Sequence, residues 1–351
     1  MVGKRTAYYG IDGCKLIAAV LIVVLHAIET SHPVAAGVKW VFTRFAVPFF
    51  FIASGFFFFK GLDSAEDIKA YFRKYEKRLL KMFLIWAVVI SGPITVFSYI
   101  RDNTGKSPVH IALLLIRRFF IIGPGPYWYL IALMLSVAFF YVCYTRKWAV
   151  VAVLGMVVGF ILQILYACFR NTLGSVAVFS DLMRGVYLVF SWEFNFIMYG
   201  IPFFGIGYFI AQKDFTISSK KAVAWFAITT LLRGAEYAVP FVFSNVAFWR
   251  ENCISLAFIP QAVAFFFMAL HWQPALPEKL YARQLSTFLY CAHAIVLYDI
   301  LDPLMVRLCP KHAYAPSAIW IKVILVLLVC WTVFWILKKA NKKYLNLLIG
   351  G

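Results

Sequence analysis

Charge is what this sequence has least of. Only 14% of its 351 residues are Asp, Glu, Lys or Arg, where soluble domains carry about 25%. Acidic side chains are the scarcer kind, 15 against 34 basic ones. So few charges cannot cover the surface of a water-soluble fold of this length, which excludes a pair of ordinary soluble domains. Paired cysteines are missing as well. The seven cysteines (Cys14, Cys143, Cys168, Cys253, Cys291, Cys309 and Cys330) are odd in number, and none stands in a Cys-x-x-Cys pair. That excludes a disulfide framework and a zinc ribbon, and no metal is expected. Most lie in apolar runs and read as small buried hydrophobes. The first apolar stretch contains Asp12 and Lys15 and no small-x-small cleavage pattern, so no cleavable signal peptide is expected. No internal repeat of the inverted-transporter kind is visible.

What is abundant is hydrophobe, at 63% of residues, with 19% aromatic. Such a chain is not disordered. A hydrocarbon core is crossed by about 20 helical residues, and about ten apolar runs approach that length. They lie near 11–30, 40–60, 79–100, 127–145, 148–169, 195–212, 221–241, 253–271, 284–302 and 317–337. The runs are continuously apolar rather than alternating, which argues against a transmembrane barrel. The expected fold is therefore all-α: one polytopic domain over 1–351, multi-pass in the plasma membrane. The stretch 108–122 is short, ends in Arg117 and Arg118, and precedes Gly123-Pro124-Gly125-Pro126. It reads as an interfacial or re-entrant piece of an extracytoplasmic loop over 101–126.

A net charge of +19 is also what a nucleic-acid binder shows, so its placement matters. With the N-terminus inside, most lysines and arginines fall in cytoplasmic segments, as the positive-inside rule requires. Both termini are then cytoplasmic, and no nucleic-acid partner is needed. The richest segment is 60–81, which includes Arg73 and Arg78. It reads either as a surface for anionic membrane lipid or as a dock for a phosphorylated donor, and spacing does not choose between them.

Ionisable residues at membrane depth are functional candidates by default. The first run holds Asp12, Lys15, His26 and Glu29. Asp12 and Lys15 share one helix face and form either a local ion pair or part of a site. His26 lies about 21 Å beyond Asp12 along the axis, with Glu29 one turn further on. A His and Glu at this spacing make a base and its orienting carboxylate, or a structural histidine with an interfacial Glu. Arg44 opens the second run, where Ser54 and Gly55 stand among phenylalanines and permit close approach by a helix or a ligand chain. Arg233 and Glu236, at i and i+3, read as a structural ion pair. His293 is a second histidine near mid-membrane.

These residues resemble acyltransferase family 3. Asp12, Lys15 and His26 match its opening pattern of an Asp, a basic residue and a His. Arg44 followed by Pro48-Phe49-Phe50-Phe51-Ile52-Ala53-Ser54-Gly55-Phe56 is similar to its second motif. Tyr127-Trp128-Tyr129-Leu130 resembles its Trp-Phe-Leu segment, and Pro202-Phe203-Phe204-Gly205-Ile206-Gly207-Tyr208 its Phe-Phe-x-x-Gly-Tyr segment. Ser286 to His293, with Tyr290, resembles its late Ser-x-x-Leu-Tyr-x-x-His helix. Two departures stand out. Lys15 replaces the usual Arg and loses bidentate contact, and Ala132-Leu133-Met134 stands where some members carry a Glu. The resemblance implies acyl transfer, often of acetyl, from cytoplasmic acyl-CoA to a hydroxyl of a glycan, lipid or small molecule. No permanently bound cofactor is implied, since acyl-CoA is the donor substrate.

On that reading His26 is the base or nucleophile, oriented by Glu29, and Arg73 and Arg78 neutralise the donor phosphates. A groove beside Ser54 and Gly55 admits the pantetheine arm. Asp12, Lys15, Arg44, Trp128, Tyr290 and His293 complete the donor and acceptor contacts. A homodimer is left open. Within the same family, the membrane halves of vancomycin-resistance serine racemases imply an alternative, amino-acid uptake. An end at Gly351 after a Lys-rich stretch would suit a chain that continues into a soluble domain. A non-catalytic role in glycan export is the third reading.

Overall fold

The computed structural model describes residues 8–28, 33–174, 176–190, 195–213, 217–242, 256–272, 281–310 and 315–350. Among them the chain is helical, with no strand. The principal helices are α1 (Tyr9–Ala27), α2 (Val34–Asp63), α3 (Ile68–Ile90), α4 (Gly92–Asp102) and α5 (Pro108–Ile116). They continue with α6 (Gly125–Thr145), α7 (Ala149–Gly174), α8 (Ala177–Phe190), α9 (Ile201–Lys213) and α10 (Ser219–Val242). The series closes with α11 (Phe258–His271), α12 (Ala282–Leu308), α13 (Ser317–Ala340) and the short α14 (Lys342–Leu348).

A helix occupies each of the ten apolar runs. Among the described residues five, α1, α2, α6, α12 and α13, are long and apolar enough to cross a membrane. A sixth crossing arises if α3 and α4, bent by 50° at Ser91, count as one broken span. The outward faces show which solvent this bundle needs. Helix α13 exposes Trp320, Ile321, Ile324, Leu328 and Trp331, and α7 exposes Val150, Leu154, Val158 and Ile161. Apolar faces of that extent are stable against lipid and not against water. The chain is a helical membrane protein.

Helix α1 is the hub. It packs against α2, α11, α12 and α13, and buried residues occupy most of its circumference, with Tyr9 and Ile17 left exposed. Helices α2 and α9 make the tightest crossing. A Cβ on Gly55 would overlap the Phe204 carbonyl, and one on Gly207 would overlap the Ile52 carbonyl. The two bare backbones let the helices touch where any side chain would hold them apart.

Helix α3 begins differently. The Asp67 carboxylate accepts from the backbone N–H groups of Lys69 and Ala70, both at 2.9 Å, an N-cap that satisfies two otherwise unpaired donors. Its first turns are amphipathic. Tyr71, Phe72, Tyr75, Leu79 and Met82 turn toward the bundle, while Lys69, Arg73, Lys74, Lys77 and Lys81 are exposed. This face marks the basic end of the bundle. The stretch 108–122 is helical, with no buried residue.

Several helices contain a π-turn, two of which matter below: Lys39–Thr43 within α2 and Ile295–Leu301 within α12. Such turns are uncommon and concentrate at functional sites.

Candidate active-site cavity

A cavity of about 310 Å³ runs through the bundle, walled by α1, α2, α3, α6 and α12. At the basic end its wall holds Lys15, Arg78 and Arg283. Phe57, Tyr75, Ser54, Tyr129 and Tyr290 line the middle, and His26, Arg44 and Trp128 lie at the far end. Among the described residues four cations line it and no carboxylate does. An occupant that fits such a wall in a low-dielectric setting carries negative charge.

Each wall residue arrives there by helix periodicity. On α1, Lys15, Ile22 and His26 share a face, and the rise from Lys15 to His26 is about 16 Å. The Lys15 ammonium sits 4.6 Å from the centre of the Phe57 ring, a cation–π contact inside the cavity wall. On α12, Arg283, Ser286, Thr287 and Tyr290 form a stripe at i, i+3, i+4 and i+7. On α2 the Ser54 hydroxyl lies 3.2 Å from the Tyr129 hydroxyl.

The chain enters α6 through a tied segment. The Tyr290 hydroxyl donates to the Pro126 carbonyl at 2.6 Å, and the Tyr127 hydroxyl donates to the Cys291 carbonyl at 2.8 Å. These reciprocal bonds fix the start of α6 to α12 and set Trp128 against the cavity. Gly123 permits the entry: its φ is +84°, and a Cβ there would strike the backbone of Trp128.

His26 and His293 face one another. Their ring centres are 5.2 Å apart. Nδ1 of His293 meets the carbonyl oxygens of Tyr290 at 2.7 Å and Leu289 at 3.2 Å. Carbonyls only accept, so Nδ1 carries the proton and Nε2 keeps the lone pair. That Nε2 is buried with no hydrogen-bond partner among the described residues. His26 is organised by Tyr298, whose hydroxyl lies 3.0 Å from Nδ1 and also donates to the His26 carbonyl at 3.3 Å. With the hydroxyl proton on that carbonyl, Nδ1–H donates to the hydroxyl oxygen. Nε2 of His26 is then the nitrogen left for a ligand.

The structure thus brings together Lys15, His26, Arg44, Ser54, Arg78, Trp128 and Tyr290. It leaves others out. Asp12 is half-buried and off the cavity wall. Lys15 turns to Phe57 and the cavity rather than closing an ion pair with it. Gly55 serves the α2–α9 crossing instead of the groove, because its open side is filled by Phe204. Arg73 is exposed, about 140° round the helix from Arg78. His293 stands behind His26 rather than on the wall. Glu29 lies outside the described residues. The residues Arg233 and Glu236 have separate partners: Arg233 donates to the Trp40 carbonyl, and a Glu236 oxygen accepts from the Ala257 N–H at 3.2 Å.

Two residues escaped the sequence reading: Arg283 on the cavity wall and Tyr298, which holds His26 from outside the wall. Arg283 was legible as the first member of the polar stripe on α12. Tyr298 was not: counted at 3.6 residues per turn it lies about 140° from His293, and the wider π-turn brings it round to His26. No three His, Cys, Asp or Glu side chains converge among the described residues.

A protein-family model described as an acyltransferase domain, that of acyltransferase family 3, matches residues 8–343. The chain belongs to this family. Its match covers every wall of the cavity, and membership makes acyl transfer the activity class of the domain. No curated protein matches the chain, and no solved structure does.

Proposed function

We propose that this membrane acyltransferase moves an acyl group, acetyl in the first instance, from acyl-CoA to a hydroxyl of a glycan, lipid or small molecule. One observation carries the reading: a single cavity joins a mouth of three cations, Lys15, Arg78 and Arg283, to His26. The cations suit the phosphates of CoA. The aromatic middle, with hydroxyls of Ser54 and Tyr129 for the amides, suits an extended pantetheine arm, which delivers its thioester toward His26. Acceptor and donor then approach the imidazole from opposite ends.

The steps balance without a further reagent. Nε2 of His26 takes the proton of the acceptor hydroxyl as its oxygen adds to the thioester carbonyl. The C–S bond breaks, an ester forms, and the leaving thiolate recovers the proton from the imidazolium. Tyr298 holds the ring in the tautomer that exposes Nε2, and Arg44 lies at the end where charge develops on the carbonyl oxygen. The basic end is assigned to the cytoplasm, since CoA is cytoplasmic and positive charge collects there. Ten crossings, both termini inside and a plasma-membrane location complete the proposal.

The test uses purified protein in lipid nanodiscs with acetyl-CoA, following release of the free thiol. Turnover is expected in the wild type, falling about 10²–10⁴-fold in His26→Ala, the usual contribution of a general base. Wild-type turnover in a folded His26→Ala variant rules the mechanism out.

A further inference from the structure

Behind the far end of the cavity lies a buried polar cluster, centred on Arg233 and Gln261, that the proposed reaction does not use. Arg44, on the cavity wall, is stacked over the Trp40 ring with its guanidinium carbon 4.1 Å from the ring centre. Trp40 belongs to the π-turn Lys39–Thr43, and Arg44 follows it directly. A π-turn widens the helix and loosens its hydrogen-bond ladder, so it needs outside support to persist. That support is present. Arg233 of α10 donates to the Trp40 carbonyl, and Gln261 of α11 donates to the Val41 carbonyl at 3.0 Å. Both side chains are buried, at 2% and 0% exposure.

Each of the two donors is held in turn. Nε2 of Gln261 also donates to the Thr230 hydroxyl at 3.0 Å, whose proton goes to the Phe226 carbonyl at 2.7 Å. The Arg233 guanidinium lies over the Phe258 ring, 5.5 Å from its centre. From the other side of the same turn, the Lys39 ammonium donates to the Ile28 carbonyl at 3.0 Å, two residues past His26. The π-turn is therefore tied to α10, to α11 and to the end of α1 that carries the imidazole. Burying a guanidinium and a carboxamide at membrane depth is unfavourable unless they are paired. Here one hydrogen bond from each goes to consecutive carbonyls of one irregular turn.

We propose that Arg233 and Gln261 are positioning residues: they clamp the π-turn of α2 and so hold the Trp40-stacked Arg44 guanidinium at the His26 end of the cavity. This rests on the acyl-transfer reading for its kinetic consequences, though not for its geometry. The clamp acts on the far end alone, because the donor mouth is built from α1, α3 and α12. Its loss changes turnover while leaving donor binding intact.

The experiment compares Gln261→Met and Arg233→Lys with wild type in nanodiscs, alone and combined with Arg44→Ala. Each clamp variant is expected to lower kcat about tenfold or more, the scale of a misplaced contact, with KM for acetyl-CoA within twofold. In the Arg44→Ala background the same substitutions should cost nothing further, because they act through Arg44. Losses that multiply overturn the proposal, since the clamp would then act by another route. A second arm needs no activity. With Arg44→Cys, alkylation of residue 44 by a small thiol reagent, read by mass spectrometry on its own peptide, should change at least severalfold when Gln261→Met or Arg233→Lys is added. An unchanged rate in both overturns the clamp even if acyl transfer is confirmed. A changed rate in a protein without thioester turnover upholds the clamp and rejects the function.

Discussion

His26 is defined by what surrounds it rather than by its own chemistry. An imidazole offers two nitrogens, and which one serves as base depends on the partner of the other. Tyr298 supplies that partner through Nδ1. Tyr298→Phe removes the hydroxyl and keeps the ring, so the imidazole loses its tautomer preference without leaving a cavity. The expected result is a fall in kcat of about tenfold with KM for acetyl-CoA unchanged, measured by thiol release. An equal rise in KM with kcat intact would show that Tyr298 contacts the donor instead. His26 itself was legible in the sequence, because an ionisable side chain in a long apolar run is conspicuous. Tyr298 was not, because a tyrosine in such a run signals nothing until its neighbours are known.

At the scale of elements, two devices shape the site. The first is the close crossing of α2 and α9 at Gly55 and Gly207. It sets the rotation of α2, which turns Ser54 toward the cavity and Gly55 away from it. Gly207→Ala places a methyl against the Ile52 carbonyl, and since backbone cannot give way as a side chain does, the helices must separate. A loss of about 1–3 kcal/mol is expected, the usual scale of overpacking. It should appear as a lower thermal midpoint in detergent, whereas Gly185→Ala, with nothing within 4 Å of its added Cβ inside a helix, should leave the midpoint no lower, since Ala favours the helix. The second device is the π-turn. The turns at Lys39–Thr43 and Ile295–Leu301 precede Arg44 and carry Tyr298, respectively. Apolar run length located both helices, at 40–60 within Val34–Asp63 and 284–302 within Ala282–Leu308. It contained no sign of either turn, because an inserted wide turn shifts the phase without altering the composition.

The whole molecule decides which of many cations matter. Charge is plentiful at the basic end, but of the described cations there only Lys15, Arg78 and Arg283 line the cavity. Arg73 points into solvent on the exposed face of α3. Arg283→Ala should therefore raise KM for acetyl-CoA about tenfold, as loss of one charged hydrogen bond would, and weaken its salt dependence. Arg73→Ala should leave KM within twofold. Equal effects from both would mean that a diffuse basic surface, not the cavity mouth, recruits the donor. Composition could not separate the two, since both arginines belong to the same positive end of the chain.

Read without coordinates, the sequence determined the solvent, the helical class, the family and the histidine in the first span. These follow from composition, run length and short motifs, which are local properties and survive without knowledge of contacts. Tertiary structure alone decided that His26 meets His293, that Gly55 packs while Ser54 lines the cavity, and that Arg283 joins the mouth while Arg73 stays out. It also decided that Arg233 and Gln261 support a turn in a helix far from them in the chain. These are questions of helix rotation and of neighbours in space. In a protein whose helices are apolar on nearly every side, the hydrophobic pattern leaves rotation open, and close packing of glycines, aromatic rings and buried polar groups settles it.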